Sequence, residues 1–351
     1  MERQGGGAIT LKDIAQETGY SVKTVSRALN DHADVNARTK RAILRIVKKL
    51  GYEPNWAAQS LRSRQTRTIG YVIPNLFNGF FGEIGNSISG FFQSRGYNLI
   101  ICFSANDHAN EMGSLRSLAA KNIDGIILAP VGNFGSSLKD SIPLRAVPIV
   151  LIDNMFQDVA MPCVLHDNEH NTRLLVSHLI KHGHRRIACV TGPLDETSGM
   201  ERLKGYRQAL RTAEIPENES LVRVTDWENK GGYAATMHLL RDKPHRPTAI
   251  FYANSQQLLG GYNALNEMRL RIPEDMAVVG FDHPDVIDAL SPRPTVLEKV
   301  EHKIGAAAAR LLWDLLQEER RGGSRTVRVR SSLCVGQSCG CSRVSNVPPA
   351  R

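Results

Sequence analysis

Short apolar runs alternate with amphipathic stretches over most of this chain, from Thr68 to Phe281. Near-continuous apolar strands with helices between them are typical of parallel sheets that are covered on both faces. The repeating units are too many for one small open sheet. The pattern therefore predicts an α/β body of two doubly wound parallel-sheet subdomains with a cleft between them. Strands are predicted at residues 69–73, 98–103, 125–128, 147–152, 186–190, 249–252 and 277–281, and helices at residues 81–94, 171–182, 200–211, 231–241 and 256–268.

Polar side chains follow several of these predicted strands, at the carboxyl ends where such folds bind their ligands. Carboxylates and amides exchange hydrogen bonds with hydroxyl groups, and an arginine can make a fork contact. Each residue alone could equally be a helix cap or a loop residue, but together they favour a small-molecule cleft. Trp227 and Phe81 could supply apolar walls for a ring. The polar candidates are Asn75, Asn78, Asp153, Arg202, Asn254 and Asp282.

The stretch TLKDIAQETGYSVKTVSRALN, residues 10–30, predicts two short helices joined by a tight turn. Thr10 is a good N-cap for the first helix, and Ser21 is a good N-cap for the second. Gly19 supplies the left-handed backbone that a sharp turn between helices needs. The residues of the second helix that are predicted to face inward are Val25, Ala28 and Leu29.

The outer face of that second helix is polar and basic, as expected of a helix that enters the major groove of DNA. Lys23 and Arg27 can donate hydrogen bonds to guanine, and Val22 can contact a thymine methyl group. An ordinary amphipathic helical hairpin is the alternative interpretation. The residues suited to phosphate contacts are Thr24, Ser26 and Asn30.

A third helix is predicted at residues 37–50, followed by a segment rich in alanine and serine. In that segment Asn55 can cap a short helix on which Leu61 lies. A helix of about eight residues is not stable alone in water. The segment is therefore either a solvated tether or a helix that folds on DNA and wedges Leu61 into a minor-groove step. The residues themselves leave these two possibilities open.

The net charge of +9 is concentrated at the two ends of the chain. Residues 1–67 contain thirteen basic and six acidic residues, and residues 320–351 contain seven basic and no acidic residues. A basic head on a mildly acidic body indicates a polyanion as the partner of the head. No apolar run reaches the ~18 residues of a membrane span, and the N-terminus lacks the apolar core of a signal peptide. We therefore expect a cytoplasmic protein without membrane contact.

The six cysteines are expected to be free thiols in that compartment. Three lie in or beside apolar strand-like runs, and three cluster near the C-terminus without the paired CxxC spacing of a zinc site. His182 and His184 could suggest a metal, but the simpler interpretation is a helix end with Gly183 just after it. We expect no metal and no cofactor. The first group is Cys102, Cys163 and Cys189, and the second is Cys334, Cys339 and Cys341.

Three classes of function compete for this chain. An enzyme on a doubly wound body is disfavoured because GxxxxGK[ST], HExxH and GxGxxG motifs do not occur. A solute-binding protein of transport would share the body fold, but the predicted DNA-reading head and the missing export signal oppose it. The leading hypothesis is a transcription regulator that a small molecule controls.

Head, linker and body together resemble the LacI/GalR (lactose/galactose repressor) family of bacterial transcription regulators, over about residues 9–341. The resemblance implies a periplasmic-binding-protein-like body of type I and a repressor that binds double-stranded DNA as a homodimer, at a pseudo-palindromic operator. No heptad-like tail follows Gly322, so we expect a dimer rather than a tetramer. The motifs that carry the resemblance are TLKDIAQETGYSVKTVSRALN, LGYEPNWAAQSLRS, GPLDETSGMERLKGYRQAL, RIPEDMAVVGFD and VRSSLCVGQSCGC.

The resemblance also implies roles for individual residues. Val22, Lys23 and Arg27 match base-reading positions. Ser21, Thr24, Ser26 and Asn30 match positions that contact the DNA backbone. Asn55, Ala58, Leu61 and Arg62 match a hinge helix in the minor groove, in which Leu61 intercalates. Asp153, Arg202, Trp227, Asn254 and Asp282 match effector-contacting positions.

Three departures from the family pattern bear on the effector. Ser255 stands where an Asp often follows Asn254, His283 stands where a second Asp often follows Asp282, and Gly79 replaces a usual Pro. The expected effector is a sugar or sugar derivative. A purine or nucleoside stacked on Trp227 or Phe81 is the second possibility.

The expected domains follow from these assignments. They are a helix-turn-helix head at 8–54, a hinge helix and linker at 55–67, and an effector-binding and dimerisation core at 68–335, with chain crossings near 166, 294 and 326. A flexible tail is expected at 336–351.

Overall fold

The computed structural model describes residues 9–30, 32–52, 65–76, 79–133, 135, 138, 147–241, 246–282, 285–317 and 325–341. The chain divides into two compact units, Met1–Thr66 and Arg67–Arg351, which we call the head and the body. Within the described ranges, no helix is long and apolar enough to cross a membrane.

The head contains the three predicted helices, α1 (Leu11–Thr18), α2 (Val22–Leu29) and α3 (Ala37–Leu50). One side chain or two from each helix are fully buried at the centre of the three-helix packing. The prediction that Val25 and Ala28 face inward is confirmed, and Leu29 packs against the same core. The central buried residues are Ile14, Val25, Ala28 and Ile43.

Local hydrogen bonds fix where these helices begin and end. The Asp13 side chain accepts from the backbone N–H of Thr10 at 2.9 Å, and the Thr10 hydroxyl caps the backbone of Asp13 in return. Gly19 ends α1 with φ +73°, a left-handed conformation that costs glycine little. Ser21 Oγ then accepts from the N–H of Thr24 at 3.1 Å and starts α2. The tight turn therefore follows from caps that the sequence encodes.

The first sheet of the body has six parallel strands in the order β11-β5-β4-β3-β1-β2. Helices α4 (Gly79–Gln93) and α10 (Glu301–Leu316) pack on one face, and α5 (His108–Ala120) packs on the other. The strands are β1 (Thr68–Ile73), β2 (Asn98–Phe103), β3 (Gly125–Leu128), β4 (Ile149–Ile152), β5 (Cys163–His166) and β11 (Thr326–Val329).

The second sheet has four parallel strands in the order β7-β6-β8-β9. One face is covered by α6 (Asn168–Lys181) and α7 (Thr197–Thr212), and the other by α8 (Asn229–Arg241) and α9 (Ser255–Glu267). The strands are β6 (Ile187–Thr191), β7 (Val222–Val224), β8 (Ala249–Tyr252) and β9 (Ala277–Gly280). The two doubly wound parallel-sheet subdomains that the sequence predicts are thus confirmed.

The chain passes between the subdomains three times. It leaves the first sheet after β5, returns to it between β10 (Val296–Leu297) and α10, and leaves it again between β11 and β12 (Leu333–Cys334). Strands β10 and β12 pair antiparallel beside the second sheet. The crossings therefore lie at residues 166–168, 297–301 and 329–333.

The expectation of a flexible tail from residue 336 needs a correction over residues 336–341. Ser338 and Cys339 are fully buried. The backbone N–H of Val278 donates to the Ser338 carbonyl at 2.7 Å, and the N–H of Thr295 donates to its hydroxyl at 2.8 Å. This segment is packed because its small polar residues complete hydrogen bonds at the edge of the second sheet. The remainder of the expected tail, 342–351, lies outside the described residues.

Candidate functional site

The outer face of α2 carries the base-reading candidates of the head. Val22, Lys23 and Arg27 are exposed, whereas Val25 and Ala28 on the opposite face are buried. Val22 is 41% exposed. An exposed aliphatic side chain together with two exposed cations suits a major-groove surface that reads both methyl groups and hydrogen-bond acceptors.

Arg27 forms an ion pair that the sequence did not predict. Its Nη1 lies 2.6 Å from Oδ2 of Asp34, in the turn between α2 and α3, and both side chains are about half exposed. The pair holds the guanidinium in one orientation at little cost, because it remains open to solvent. An acceptor on DNA would have to share Arg27 with this carboxylate or replace it.

The backbone-contacting candidates are already engaged in local hydrogen bonds. Ser21 Oγ lies 2.9 Å from Oγ1 of Thr24, and Asn30 Nδ2 donates to the Ser26 carbonyl at 2.7 Å. Ser26 itself is partly buried. Hydroxyl groups can accept or donate a further bond while capping a helix, so these positions can still meet phosphates.

Five of the predicted residues lie outside the described part of the chain. They are the four hinge candidates, Asn55, Ala58, Leu61 and Arg62, and the cleft candidate Asn78.

The cleft of the body lies between the two subdomains, where carboxyl ends of strands from both sheets face each other. The space between them, with the solvent at its mouth included, is about 830 Å³. All seven predicted cleft residues that the structure describes line this space, namely Asn75, Phe81, Asp153, Arg202, Trp227, Asn254 and Asp282.

Arg202, on α7, is the buried cation of the cleft. Its Nε donates to Oδ1 of Asn168 at 2.9 Å, and its Nη1 donates to the Ala253 carbonyl at 2.5 Å. The guanidinium carbon lies 3.8 Å from the centroid of the Phe281 ring. These contacts fix the guanidinium plane, so that its remaining edge faces the ligand space.

Asp153 faces Arg202 from the first subdomain, with 3.9 Å between its Oδ1 and Nη2 of the arginine. It follows β4 with φ +65°, a left-handed conformation that a non-glycine residue adopts at some cost. Burial raises the pKa of Asp153 to about 6, and Asp282 adds to the rise while Arg202 opposes it. This backbone conformation places the Asp153 carboxyl group on the cleft, where it can accept a hydrogen bond from a ligand.

Asp282 and Asn254 lie on the opposite wall of the cleft. Both side chains also accept hydrogen bonds from backbone N–H groups at the start of α9. Asp282 Oδ2 accepts from the N–H of Ser255 at 3.1 Å, and Asn254 Oδ1 accepts from the N–H of Gln257 at 2.8 Å. Asn254 Nδ2 donates to the Trp227 carbonyl at 3.0 Å. Asn254 therefore combines a cap with a position on the cleft, and its free hydrogen-bonding capacity toward a ligand is small.

Glu196 is a cleft residue that the sequence reasoning missed. Its Oε2 accepts from Nε1 of Trp227 at 2.7 Å and from Nδ2 of Asn154 at 3.3 Å. Burial raises the pKa of Glu196 to about 7, with Asp153 contributing to the rise and Trp227 opposing it. The only sequence signal was its place in the loop after β6, within GPLDETSGM.

The aromatic walls come from both subdomains. Phe80 and Phe81 lie edge to face with centroids 5.1 Å apart, and Phe80 was not predicted. Trp227 stands across the cleft with its indole nitrogen tied to Glu196. A flat or ring-shaped ligand could therefore lie between apolar faces while its edges meet acceptors.

The charge of the cleft is unbalanced. Among the described lining residues Arg202 is the single basic side chain, whereas four carboxyl groups are present. Such a set accepts hydrogen bonds from hydroxyl or amine groups, and its ionised members repel an anion. The four are Asp153, Glu196, Glu228 and Asp282.

Family models match both units of the chain. The model described as bacterial regulatory proteins of the lacI family matches residues 10–55. The model described as a periplasmic binding protein-like domain matches residues 176–339.

Several curated relatives match nearly the full length of the chain. Catabolite control protein A of Priestia megaterium is 31% identical over 89% of this chain and 93% of its own. The HTH-type transcriptional repressor PurR of Edwardsiella ictaluri is 31% identical over 92% and 95%. The ribose operon repressor of Escherichia coli K12 is 31% identical over 89% and 96%.

Solved structures give the same result. The Lac repressor dimer bound to operator and the anti-inducer ONPF superposes with a TM-score of 0.85 at 26% identity, covering 95% of this chain and 99% of that one. The transcriptional regulator CelR in complex with cellobiose superposes with a TM-score of 0.69 at 29% identity, covering 94% and 99%.

Proposed function

This chain belongs to the lacI family of bacterial regulatory proteins and is a DNA-binding transcription regulator rather than an enzyme, and we propose that it is a repressor controlled by a neutral, hydroxyl-rich effector. The head binds operator DNA and the body binds the effector. The chain acts as a homodimer, so that two heads meet the two halves of a pseudo-palindromic operator. We place this activity in the cytoplasm, where bacterial DNA is found.

We assign recognition of the DNA base sequence to Val22, Lys23 and Arg27. Their exposure on one face of α2, opposite the buried Val25 and Ala28, supports the assignment. Ser21, Thr24, Ser26 and Asn30 contact phosphates beside them. Asn55, Ala58, Leu61 and Arg62 form a hinge helix that inserts Leu61 into the minor groove at the dimer axis.

The effector assignment rests on one observation above all, the ratio of carboxyl groups to cations in the cleft. Four carboxyl groups against the single Arg202 favour a ligand that offers hydroxyl hydrogens, and they disfavour a ligand with a phosphate or a free carboxylate group. Phe81 and Trp227 pack against the apolar faces of a sugar ring. Cellobiose in the CelR complex and the ribose operon repressor show sugars associated with two similar proteins.

A purine or nucleoside is the second candidate. The facing aromatic side chains Phe81 and Trp227 suit a stacked base. The number of acceptors favours the sugar, because a base has few hydrogen-bond donors on its edge while a sugar has one on each hydroxyl group.

Coupling follows from the position of the cleft. A ligand that contacts Asp153 on the first subdomain and Arg202 or Asp282 on the second changes the relative pose of the subdomains. That change alters the spacing of the two linkers in the dimer, and hinge helices order only when the linkers are close. Effector affinity and operator affinity are therefore linked, and the linkage is reciprocal.

The test is a two-stage binding experiment with the full-length protein. A thermal-shift screen of neutral sugars, sugar phosphates, uronic acids and nucleosides identifies the effector class, and the expected hit is a neutral sugar. Fluorescence anisotropy with genomic fragments beside the gene, against random competitor DNA at fixed salt, then measures operator affinity with and without the hit. A phosphorylated or carboxylated hit would overturn the effector assignment, and the absence of any preferred fragment would overturn the regulator model.

A further inference from the structure

A second cluster of metal-ligating side chains lies at the C-terminal end of α6, away from the cleft. His178 and His182 are four residues apart, so their side chains share one face of the helix end. Their ring centroids are 4.6 Å apart. The C-terminal segment brings Cys341 beside them, and one ligand atom of each of the three lies within 4.8 Å of the other two.

Those spacings are close to what a tetrahedral metal ion requires. Zinc binds histidine nitrogen at about 2.0–2.1 Å and thiolate sulfur at about 2.3 Å, which places ligand atoms roughly 3.3–3.8 Å apart. A side-chain rotation that moves each donor by about an ångström closes the difference, and His182 on the surface is free to make it. The set of two imidazoles and a thiol is one that zinc prefers.

The position of Cys341 is imposed by the fold rather than by a loose chain end. Ser338 and Cys339 are fully buried in the second subdomain, and Cys341 packs against the same hydrophobic core. The Ser338 hydroxyl donates to the Val278 carbonyl at 2.5 Å, which pins the segment to β9. Packing and hydrogen bonds of the folded chain therefore hold Cys341 beside the two histidines.

Two further observations point to a ligand at this place. Nε2 of His178 is buried without a well-formed hydrogen bond among the described residues, which is costly for a ring nitrogen unless something binds it. The thiol of Cys339 lies close to the Cys341 thiol and the His178 imidazole. A fourth donor is thus beside two of the first three.

We propose that His178, His182, Cys341 and Cys339 bind a zinc ion that fastens the C-terminal segment to the end of α6. Binding displaces the protons of the two thiols, and the imidazoles bind in their neutral form. His184 is not part of the site, because its Nδ1 lies 3.0 Å from Oγ1 of Thr248 and its ring also hydrogen-bonds the backbone of Cys339. The site would join the His182 region to the C-terminal cysteines. The sequence alone predicted a metal at neither place.

The experiment uses the untagged full-length protein, purified under reducing conditions without chelator. We expect one equivalent of zinc by plasma emission spectrometry, and replacement by Co²⁺ should give the visible bands of a tetrahedral ion with a thiolate charge-transfer band. The Co²⁺ charge-transfer intensity should correspond to two thiolates. An intensity for one thiolate would remove Cys339 from the proposal.

The variants separate this site from adventitious binding. Cys341→Ser and His182→Asn should each lose the bound zinc and the rise in Tm that zinc gives the wild-type chain, because a ligand that binds the folded state stabilises it. Cys102→Ser, a partly buried cysteine of the other subdomain, should keep both. Circular dichroism checks that each variant is folded. Failure of the reduced wild-type protein to take up zinc, or equal uptake by folded Cys341→Ser, would overturn the proposal.

Discussion

Glu201 and Arg328 form a two-pronged ion pair that joins α7 of the second subdomain to β11 of the first. The two guanidinium nitrogens lie 2.6 and 2.8 Å from the two carboxylate oxygens. Asn168 donates to Glu201 at 3.1 Å and accepts from Arg202 at 2.9 Å. The cleft arginine is thus connected through two hydrogen bonds and an ion pair to a strand at a chain crossing.

Replacing Glu201 by Gln should destabilise the body. Glu201 is 7% exposed, so the change leaves Arg328 without its charged partner, although Arg328 still reaches solvent. We expect the free energy of unfolding to fall by about 1–3 kcal/mol in urea titrations. The control is Lys204→Met, which removes an exposed ion pair to Glu169 and should cost less than about 1 kcal/mol. Equal losses in the two variants would contradict the structural role of the Glu201 pair.

Replacing Arg27 by Ala should weaken specific operator binding by about 1–3 kcal/mol and relax the base preference at one position of each half-site. The measurement is a competition titration with single-base operator variants at fixed salt. Asp34→Asn is the matched control, because it releases Arg27 from its 2.6 Å ion pair and should keep the base preference. A loss that is uniform over all sequences would identify Arg27 as a phosphate contact instead.

Replacing Leu61 by Ala should weaken operator binding while effector affinity in the DNA-free protein stays nearly unchanged. The proposed hinge helix loses its intercalating side chain, whereas the cleft is untouched. Titration of operator and effector separately, by anisotropy and calorimetry, checks both halves of the statement. Ser63→Ala, on the same segment but not among the predicted DNA contacts, keeps Leu61 and serves as the comparison. Undiminished operator affinity in Leu61→Ala would remove the hinge from the mechanism.

Replacing Gly192 by Ala should lower effector affinity by displacing the Trp227 ring. An added Cβ at Gly192 would lie 2.2 Å from the Trp227 ring, so the ring must leave its place on the cleft wall. Loss of that aromatic contact corresponds to roughly a tenfold rise in Kd. Gly113→Ala, where the added Cβ meets nothing within 4 Å, is the control. An unchanged Kd in Gly192→Ala would mean that Trp227 does not contact the effector.

Glu196 should contribute less to the stability of the effector-free protein as pH rises. Burial raises the pKa of Glu196 from 4.5 to about 7, so the folded state holds a proton that the unfolded state has released. The contribution of Glu196 to the free energy of unfolding therefore falls as pH increases between about 4.5 and 7, and it is lost above that range. Glu196→Gln should flatten this part of the pH profile, measured by urea unfolding. An unchanged slope in Glu196→Gln would show that Glu196 does not hold this proton in the folded state.

The structure of the head was largely predictable because contacts between residues close together in the sequence determine it. The capping box at Thr10, the turn at Gly19 and the cap at Ser21 each involve residues within a few positions of one another. The buried face of α2 followed from helical spacing alone. The ion pair between Arg27 and Asp34 was not predictable in this way, because it depends on how the turn after α2 folds back.

Several elements of the body escaped prediction for identifiable reasons. In α5 the buried face includes Glu111, whose carboxylate accepts from the N–H of Val131 at 2.8 Å, so the apolar period is interrupted. Strand β7 has three residues, none of them fully buried. Strand β11 alternates exposed and half-buried residues at the edge of its sheet. Period and hydrophobicity carry little information at such lengths and positions.

The cleft was predictable in outline and less so in detail. The strand-end rule found Asp153 and Asp282 because each directly follows a buried strand. Glu196 was missed because its importance lies in contacts with Trp227 and Asn154, which are 31 and 42 positions away in the chain. The dual use of Asn254 as a cap and a wall residue likewise depends on the tertiary arrangement.

The place of β11 has a consequence for synthesis of the protein. This strand pairs with β5 in the first sheet, yet more than a hundred residues, including the whole second sheet, separate the two in the chain. Until residue 329 has emerged from the ribosome, the edge of β5 that pairs with β11 has no partner strand. Other chains can form backbone hydrogen bonds with this exposed edge. Truncated products that stop before β11 should accordingly aggregate, and chaperone dependence should be greatest late in translation.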